Sequence, residues 1–415
     1  MNINRYDKVL LYCIPIVLCL ITFHWIRMIG FAGMDDGWML LEDKLIPMGF
    51  TNKVFLNINN LQYSPLNTLY YILIYKIDGF NPYWYHFGSL LIHLVNGYLV
   101  YKLLTKIFEV FKVQPLEKED YQVVPYIIML TWLIHPFNVE SVVWISASKI
   151  PLYTLFFLLS FYYFILAFTK KQHIVVYYGL SLIFFICSFL SKEQALVLPM
   201  VIGVFIIIYC IKEQQKIRFS HVIWLSPYLI LSLIFAAITL YCLHYEGAEH
   251  PFDKFPIEKR LFFTFYSLGF YIFNSPLPID LHYHYPFPIK PTEDVPILII
   301  VISVMLVVSL CFLLHTLRKD KNYLTYIFFF LFFLINIVLC LHILPLPRAS
   351  IVADRYMYLS LLGTLSAIYI YFFDWTKLKI KERSTQKVVF ISTSCLVIIG
   401  FMVYSNALVQ DWLSR

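Results

Sequence analysis

Two adjacent carboxylates, Asp35 and Asp36, follow directly on the first long apolar run of the chain. Neighbouring carboxylates at a membrane surface can hold a hard divalent cation such as Mg²⁺ or Mn²⁺. Alternatively, one of them acts as a general base on an acceptor hydroxyl while the other binds a ligand. A solvated loop with two ordinary acids is the alternative without chemistry. The position favours function, because the pair lies within a few residues of a helix end.

Three basic residues, Lys149, Lys192 and Arg355, lie at the ends of later apolar runs. A charge there is costly unless it faces a cavity or a partner. Arginine binds phosphate through paired hydrogen bonds, and lysine binds it as a point charge. Lys192 precedes Glu193, so this pair either neutralises itself or leaves the lysine facing a phosphate. Arg355 precedes Tyr356, and anchoring at the membrane interface is the alternative for these two residues.

Histidines and a further acid accompany these charges. His135 and Pro136 should end the third apolar run, because proline cannot continue a helix. His135 and Glu140 then reach the membrane interface, unless this segment is simply a polar loop. His86 and His93 are seven residues apart and share one helix face. A helix–helix hydrogen bond is the alternative to ligand binding for these two histidines.

The elements that must position these residues are long apolar helices. The chain has 415 residues, of which 60% are hydrophobic and 14% charged, and its mean hydropathy is +0.73. Soluble proteins average about 25% charged residues. The apolar runs are continuous, which favours helices over an alternating barrel pattern. The sequence therefore predicts an all-α polytopic membrane protein, folded as a single integral-membrane domain over residues 1–415.

Eleven apolar runs are predicted to span the membrane. The first could be a signal peptide, but no small-residue cleavage site closes it, which favours a membrane helix. Segment 261–273 is also apolar and is predicted to lie flat or re-enter. The predicted spans are 9–29, 84–108, 122–136, 150–168, 174–190, 194–211, 221–243, 295–316, 322–343, 355–373 and 388–407.

The charges predict an orientation. With the N-terminus inside, the inner segments hold 19 of the 32 basic and 9 of the 25 acidic residues, a net charge of +10, which leaves −3 outside. This obeys the positive-inside rule and explains the net charge of +7 without nucleic acid as a partner. The expected setting is the inner membrane of a bacterium, with the C-terminus and the active face on the periplasmic side.

Two long loops then lie outside, over about 30–83 and 244–294. The first contains Tyr63, followed by Ser64 and Pro65, at the start of a stretch that predicts a helix on the membrane surface. The second contains His282 among further aromatic and acidic residues. Inner loops are plain basic connectors, so acids, histidines and aromatics collect on one face. This asymmetry predicts chemistry at the outer interface.

In their order along the chain, these motifs resemble the membrane part of the transmembrane and tetratricopeptide-repeat O-mannosyltransferases. Those enzymes belong with the protein O-mannosyltransferases among the GT-C glycosyltransferases. The resemblance covers most of the chain, and each matching motif alone is weak. The matching residues are Asp35-Asp36, Tyr63-Ser-Pro, His86 with His93 and Asn96, His135-Pro, Glu140 to Trp144, Leu190 to Glu193 with Pro199, Leu277-Pro278, Arg355 to Tyr358, and Asp411-Trp412.

The resemblance implies transfer of a sugar, mannose in the family, from a polyprenyl-phosphate donor. Asp35 or Asp36 would deprotonate the acceptor hydroxyl, while Arg355 and Lys192 would stabilise the departing phosphate. Lys149 stands where the family has arginine, so the donor sugar can differ. The family's tetratricopeptide repeats do not follow Arg415, which leaves the acceptor open among glycan, lipid and protein. His86, His135, Glu140, Glu193, Tyr63, His282 and Tyr356 are expected to bind substrate or support the site.

Two other functions remain open from the residues. A transporter or flippase of lipid-linked or small anionic solutes would show internal repeats and helices broken at mid-membrane. No convincing repeat is present, and the polar residues favour the outer edge. A polymerase or ligase of lipid-linked saccharides would join chains, whereas a glycosyltransferase adds one sugar.

Overall fold

The chain folds into a helical bundle, seen here in a computed structural model that describes residues 5–33, 35–117, 119–170, 172–245, 255–343, 350–380 and 382–414. No β-strand occurs within these ranges. Residues 246–254 of the second long loop lie outside them, as do Lys118, Lys171 and Lys381 of the charge census. The helices are α1 Arg5–Thr22, α2 Leu45–Met48, α3 Pro65–Asp78, α4 Pro82–Phe111, α5 Asp120–Leu133, α6 Val139–Val143, α7 Lys149–Thr169, α8 Ile174–Ser191, α9 Leu198–Lys212, α10 Phe219–Tyr245, α11 Ile257–Asn274, α12 Ile297–Leu317, α13 Tyr323–Ile337, α14 Met357–Lys379 and α15 Arg383–Asp411.

Nine helical stretches in the described part of the chain are long and apolar enough to cross a membrane. A tenth span results if α5 and the bent segment after it form one crossing. The predicted class, a helical multi-pass membrane protein, is confirmed. Each of the eleven predicted ranges overlaps a helix, but the apolar part of α1, Leu11–Thr22, is shorter than a full span. The number eleven therefore stays a prediction.

The apolar segment 261–273 forms part of α11 and is not among the nine. Its first turn carries charge at Glu258, Lys259 and Arg260, which lowers its mean hydropathy. That α11 is a helix is shown. Its predicted position, flat on the membrane or re-entering it, stays a prediction.

The chain bends sharply after α5. α5 ends at Leu133, and His135 is extended before Pro136, as the His-Pro motif predicts. The stretch Pro136–Val143 is bent by 54° from α5. Asn138 Nδ2 donates to the Trp132 carbonyl at 2.6 Å and caps the end of α5. Because of this bend, α6 presents Glu140 to the start of α14.

The first long loop is fastened to the start of α7. The predicted helix is present as α3, which begins at Pro65 and ends before Gly79, where φ is +56°. Its place on the membrane surface stays a prediction. The buried Tyr71 hydroxyl donates to the Ile145 carbonyl at 3.0 Å and lies 3.0 Å from Ser148 Oγ. The loop therefore has a fixed position relative to the residues that precede α7.

A buried polar network joins four helices, α4, α5, α7 and α14. His93 on α4 lies 2.7 Å from both the Tyr358 hydroxyl and the Leu133 carbonyl. Asn96 donates to the Pro151 carbonyl at 2.8 Å and to Tyr358 at 3.2 Å. Such hydrogen bonds hold helices together where water is absent. His93 and Asn96 thus fix the start of α14 relative to α4, and Arg355 lies just before that start.

Candidate functional site

Asp36 joins two segments of the chain and is only 1% exposed. One carboxylate oxygen accepts from the Ala32 N–H at 2.8 Å, and the other accepts from the Ser146 N–H at 2.9 Å and from the Ser146 hydroxyl. Burial raises the pKa of Asp36 above its ordinary value, against the opposing effect of these hydrogen bonds. Asp36 therefore fixes the segment after α1 to the segment before α7.

Asp35 keeps its carboxylate much freer. It is half-buried, and Trp38 Nε1 donates to its Oδ1 at 3.2 Å. Because Asp36 gives both of its oxygens to protein donors, the pair does not present two free carboxylates to one cation. Among the described residues, no group of three or more acids, histidines and cysteines is arranged to hold a metal. Of the two acids, Asp35 thus has the carboxylate with fewer protein donors.

Arg355 forms an ion pair with the buried Glu140. Its Nη1 contacts Glu140 Oε1, and its backbone N–H donates to Glu140 Oε2 at 2.8 Å. The guanidinium also lies 5.1 Å above the ring centroids of Trp144 and Tyr356. The arginine side chain remains 25% exposed. It is held in one orientation by an acid and two rings, and part of its surface is left for a ligand.

Lys149 and Lys192 add two buried cations. Lys192 Nζ lies 3.3 Å from Glu193 Oε1. Lys149 Nζ donates to Gln62 Oε1 at 2.5 Å and to Met39 Sδ at 3.6 Å. No carboxylate of the described residues lies within ion-pair distance of Lys149. Lys149 is within electrostatic range of a set of charges from three other segments, namely Asp35, Lys192, Glu193 and Arg355.

The polar site, as we name it, is formed by residues that the sequence separates by up to 321 positions. Four segments supply it: the turn after α1, α6 with the start of α7, the α8–α9 junction, and the start of α14. The site members are Asp35, Asp36, Glu140, Lys149, Lys192, Glu193, Arg355 and Tyr356. Eight of the residues singled out from the sequence are therefore brought together.

The other predicted site residues have different surroundings. His86 is buried, with Nε2 3.2 Å from the Ile29 carbonyl, and His135 Nε2 is 2.9 Å from the Ser275 carbonyl. Both rings thus face backbone carbonyls of other segments. The Tyr63 hydroxyl donates to the Phe55 carbonyl at 3.0 Å, within the first loop. His282 is exposed and lies 2.9 Å from Asp280.

A small cavity of about 40 Å³ borders the polar site. Glu140, His282, Asp354 and Trp412 are among the residues that line it. Asp354 is buried and accepts from the Tyr285 hydroxyl at 2.7 Å, and Tyr285 in turn accepts from the His282 N–H at 2.7 Å. Burial and the Asp354 charge raise the pKa of Tyr285. The second long loop thereby reaches the edge of the site.

Three residues of this region were not among the sequence-predicted site residues. They are Gln62, which holds Lys149, Ser146, which holds Asp36, and Asp354, which holds Tyr285. Asp354 carried a signal, since it directly precedes Arg355 at the start of an apolar run. Gln62 and Ser146 are ordinary polar residues whose partners lie 87 and 110 positions away.

Comparison of the chain with protein-family models, with curated proteins and with solved structures finds no match in any of the three. The resemblance to the GT-C glycosyltransferases therefore stays a prediction from the motifs.

Proposed function

We propose that this membrane protein is a glycosyltransferase that moves a sugar from a polyprenyl-phosphate donor to an acceptor hydroxyl. The observation that supports this most strongly is the grouping of Lys149, Lys192 and Arg355 around Asp35. Lys149 is buried without a carboxylate in ion-pair contact among the described residues, and an uncompensated buried cation is costly unless an anion binds it. A lipid phosphate is an anion that reaches such a site from the bilayer.

The reaction assigns a role to each charge. Asp35 takes the proton from the acceptor hydroxyl, whose oxygen forms the new bond to the anomeric carbon of the sugar. The bond between that carbon and the phosphate oxygen breaks, and its electron pair leaves with the polyprenyl phosphate. Arg355, Lys149 and Lys192 stabilise the charge that develops on the leaving phosphate. No step requires a bound cation.

The proposed orientation follows the charge distribution. The N-terminus is cytoplasmic, and the polar site faces the opposite side, where acceptor glycans, lipids or proteins are available. Mannose is the donor sugar that the family resemblance suggests. The substitution of lysine for arginine at position 149 leaves other hexoses open, because lysine lacks the planar fork of arginine.

A flippase of lipid-linked saccharides is the second candidate. The 54° bend between α5 and the Pro136–Val143 stretch is the observation that favours it, since transporters bind solutes at broken helices. The two candidates differ in product. A flippase moves the intact lipid-linked sugar across the bilayer, whereas a glycosyltransferase releases polyprenyl phosphate.

The test is an Asp35→Asn variant assayed for release of polyprenyl phosphate from a set of polyprenyl-phosphate hexoses, mannose first, with cell-envelope acceptors present. Loss of a general base lowers rates by about 10²- to 10⁴-fold. Glu42→Gln is the matched control, because it removes a carboxylate at an exposed position of the same loop. It should leave the rate unchanged. Undiminished release by the Asp35→Asn variant would overturn the assignment.

A further inference from the structure

A tight turn in the first loop, Asn59 to Gln62, has no role in the reaction described above. Asn59 and Gln62 exchange two backbone N–H···O hydrogen bonds, both of 3.0 Å. The two residues between them are left-handed, with φ of +45° at Asn60 and +63° at Leu61. Asparagine tolerates this conformation, but a leucine adopts it only where the surrounding structure imposes it. Such backbone outliers concentrate at functional sites.

The turn contacts Lys149 on one side and the segment that carries Asp35 on the other. On one side, Gln62 Oε1 accepts from Lys149 Nζ at 2.5 Å. On the other side, Asn59 Nδ2 donates to the Trp38 carbonyl at 3.1 Å, and Trp38 Nε1 donates to Asp35 at 3.2 Å. A single turn therefore links the segment of the proposed base to the proposed phosphate-binding lysine.

The hydrogen-bond partner of Lys149 is the side-chain amide of Gln62, which is uncharged. Lysine carries its charge on a flexible four-carbon stem, so its ammonium needs a fixed acceptor to have a defined position. A carboxylate at position 62 would fix the ammonium but also neutralise it. Gln62 and Met39 hold the Lys149 side chain without placing a carboxylate beside it.

We propose that Gln62 is a positioning residue that holds the Lys149 ammonium toward the phosphate of the lipid donor, with the strained turn setting its place. This inference rests on the proposed function, because it takes the polyprenyl phosphate as the ligand. It adds a residue to the donor site that carries no charge and touches the phosphate only through Lys149.

The experiment measures binding of two lipids to the full-length protein in nanodiscs: a long-chain polyprenyl phosphate without sugar, and the uncharged polyprenol of the same length. The wild type should prefer the phosphate. Gln62→Glu should weaken phosphate binding at least tenfold, since its carboxylate pairs with Lys149, and leave polyprenol binding unchanged. Gln62→Ala should weaken phosphate binding several-fold, because the ammonium loses its fixed position.

Asn60→Asp is the matched control. It adds the same charge two residues away, at an exposed position where aspartate tolerates the left-handed backbone, and it should keep the wild-type preference. If the role of Gln62 is purely structural, its variants should weaken the binding of both lipids equally. That result would overturn the inference. If the Gln62→Glu protein does not fold, the test rests on whether Gln62→Ala lowers the preference for polyprenyl phosphate over polyprenol.

The outcomes separate the two claims. A wild type that binds phosphate and alcohol equally would count against the proposed function itself. A wild type that prefers the phosphate, together with Gln62 variants that keep this preference, would overturn the positioning role alone.

Discussion

The two ends of the helical bundle differ in how deeply their charged side chains are buried. At the end that holds the polar site, Asp36, Glu140 and Lys149 are buried and meet residues from distant segments. At the other end, where α4 and α9 finish, Lys112 Nζ lies 2.7 Å from Glu213 Oε1 with the lysine side chain 72% exposed. The Lys112–Glu213 pair is thus largely solvated, whereas Asp36, Glu140 and Lys149 are enclosed.

This difference separates charges that water solvates from charges that only other residues compensate. Exposed ion pairs contribute little to stability, since water already solvates both partners. Buried charges are costly unless partners compensate them, and uncompensated ones concentrate at functional sites. Asp120 is a buried acid at the second end, but Arg383 Nη2 at 2.9 Å and Lys387 Nζ at 3.5 Å supply it with cations from α15. Lys149 has no carboxylate of the described residues within ion-pair distance, although Asp35 and Glu193 are within electrostatic range.

The largest expected effect is that of Glu140→Gln. Removing one partner of a buried ion pair leaves an uncompensated charge, which typically destabilises a protein by about 3–5 kcal/mol. We expect the lower end of this range, because the Arg355 side chain is 25% exposed. We therefore expect a clearly lower midpoint of thermal unfolding in detergent, read from tryptophan fluorescence. Glu109→Gln is the control at the other end, where Glu109 is 51% exposed beside Lys106. Equal losses for both variants would remove the contrast between the ends.

A smaller and pH-dependent effect is expected for Asp36→Asn. The variant loses a hydrogen-bond acceptor and should be less stable than the wild type. Burial raises the pKa of Asp36 in the folded state, so the wild type loses stability as pH rises from about 4 through that raised pKa. Asparagine does not titrate. The stability difference between the two proteins should therefore shrink toward neutral pH, as chemical denaturation at a series of pH values would show.

The exposed Asp78→Asn change is the control for this pH series. Asp78 lies at the end of α3 and accepts from Asn81 Nδ2 at 2.6 Å. This substitution at an exposed position should change the stability little. A difference for Asp36→Asn that widens with rising pH would show that Asp36 is charged and stabilised by its donors.

Much of the fold was predictable, because an apolar run long enough to cross a membrane has almost no alternative to a helix. Lys149, Lys192 and Arg355 were predictable for a related reason, since charges at the ends of such runs stand out. Ser146 and Gln62 were not, because their importance arises from contacts with Asp36 and Lys149 that only the folded chain makes.

The histidines illustrate the limit of residue type as a signal. His86, His135 and His282 were equal candidates for substrate contacts, with ring nitrogens suited to catalysis or to structural hydrogen bonds. In the fold, His86 and His135 face backbone carbonyls within the bundle, and His282 is exposed at the edge of the small cavity. Which of these environments a histidine receives depends on bends such as the one at Pro136, whose angle the sequence does not specify.

The smallest expected effect tests the other end of the bundle. Lys112→Gln and Glu213→Gln should leave the unfolding midpoint unchanged, alone and together, at low and at high salt. Glu213 draws the pKa of Lys112 upward, but both groups are reached by solvent, which offsets what their pairing gains. A marked and salt-sensitive loss in either variant would mean that the exposed pairs also stabilise the fold, and burial of charge would no longer distinguish the two ends.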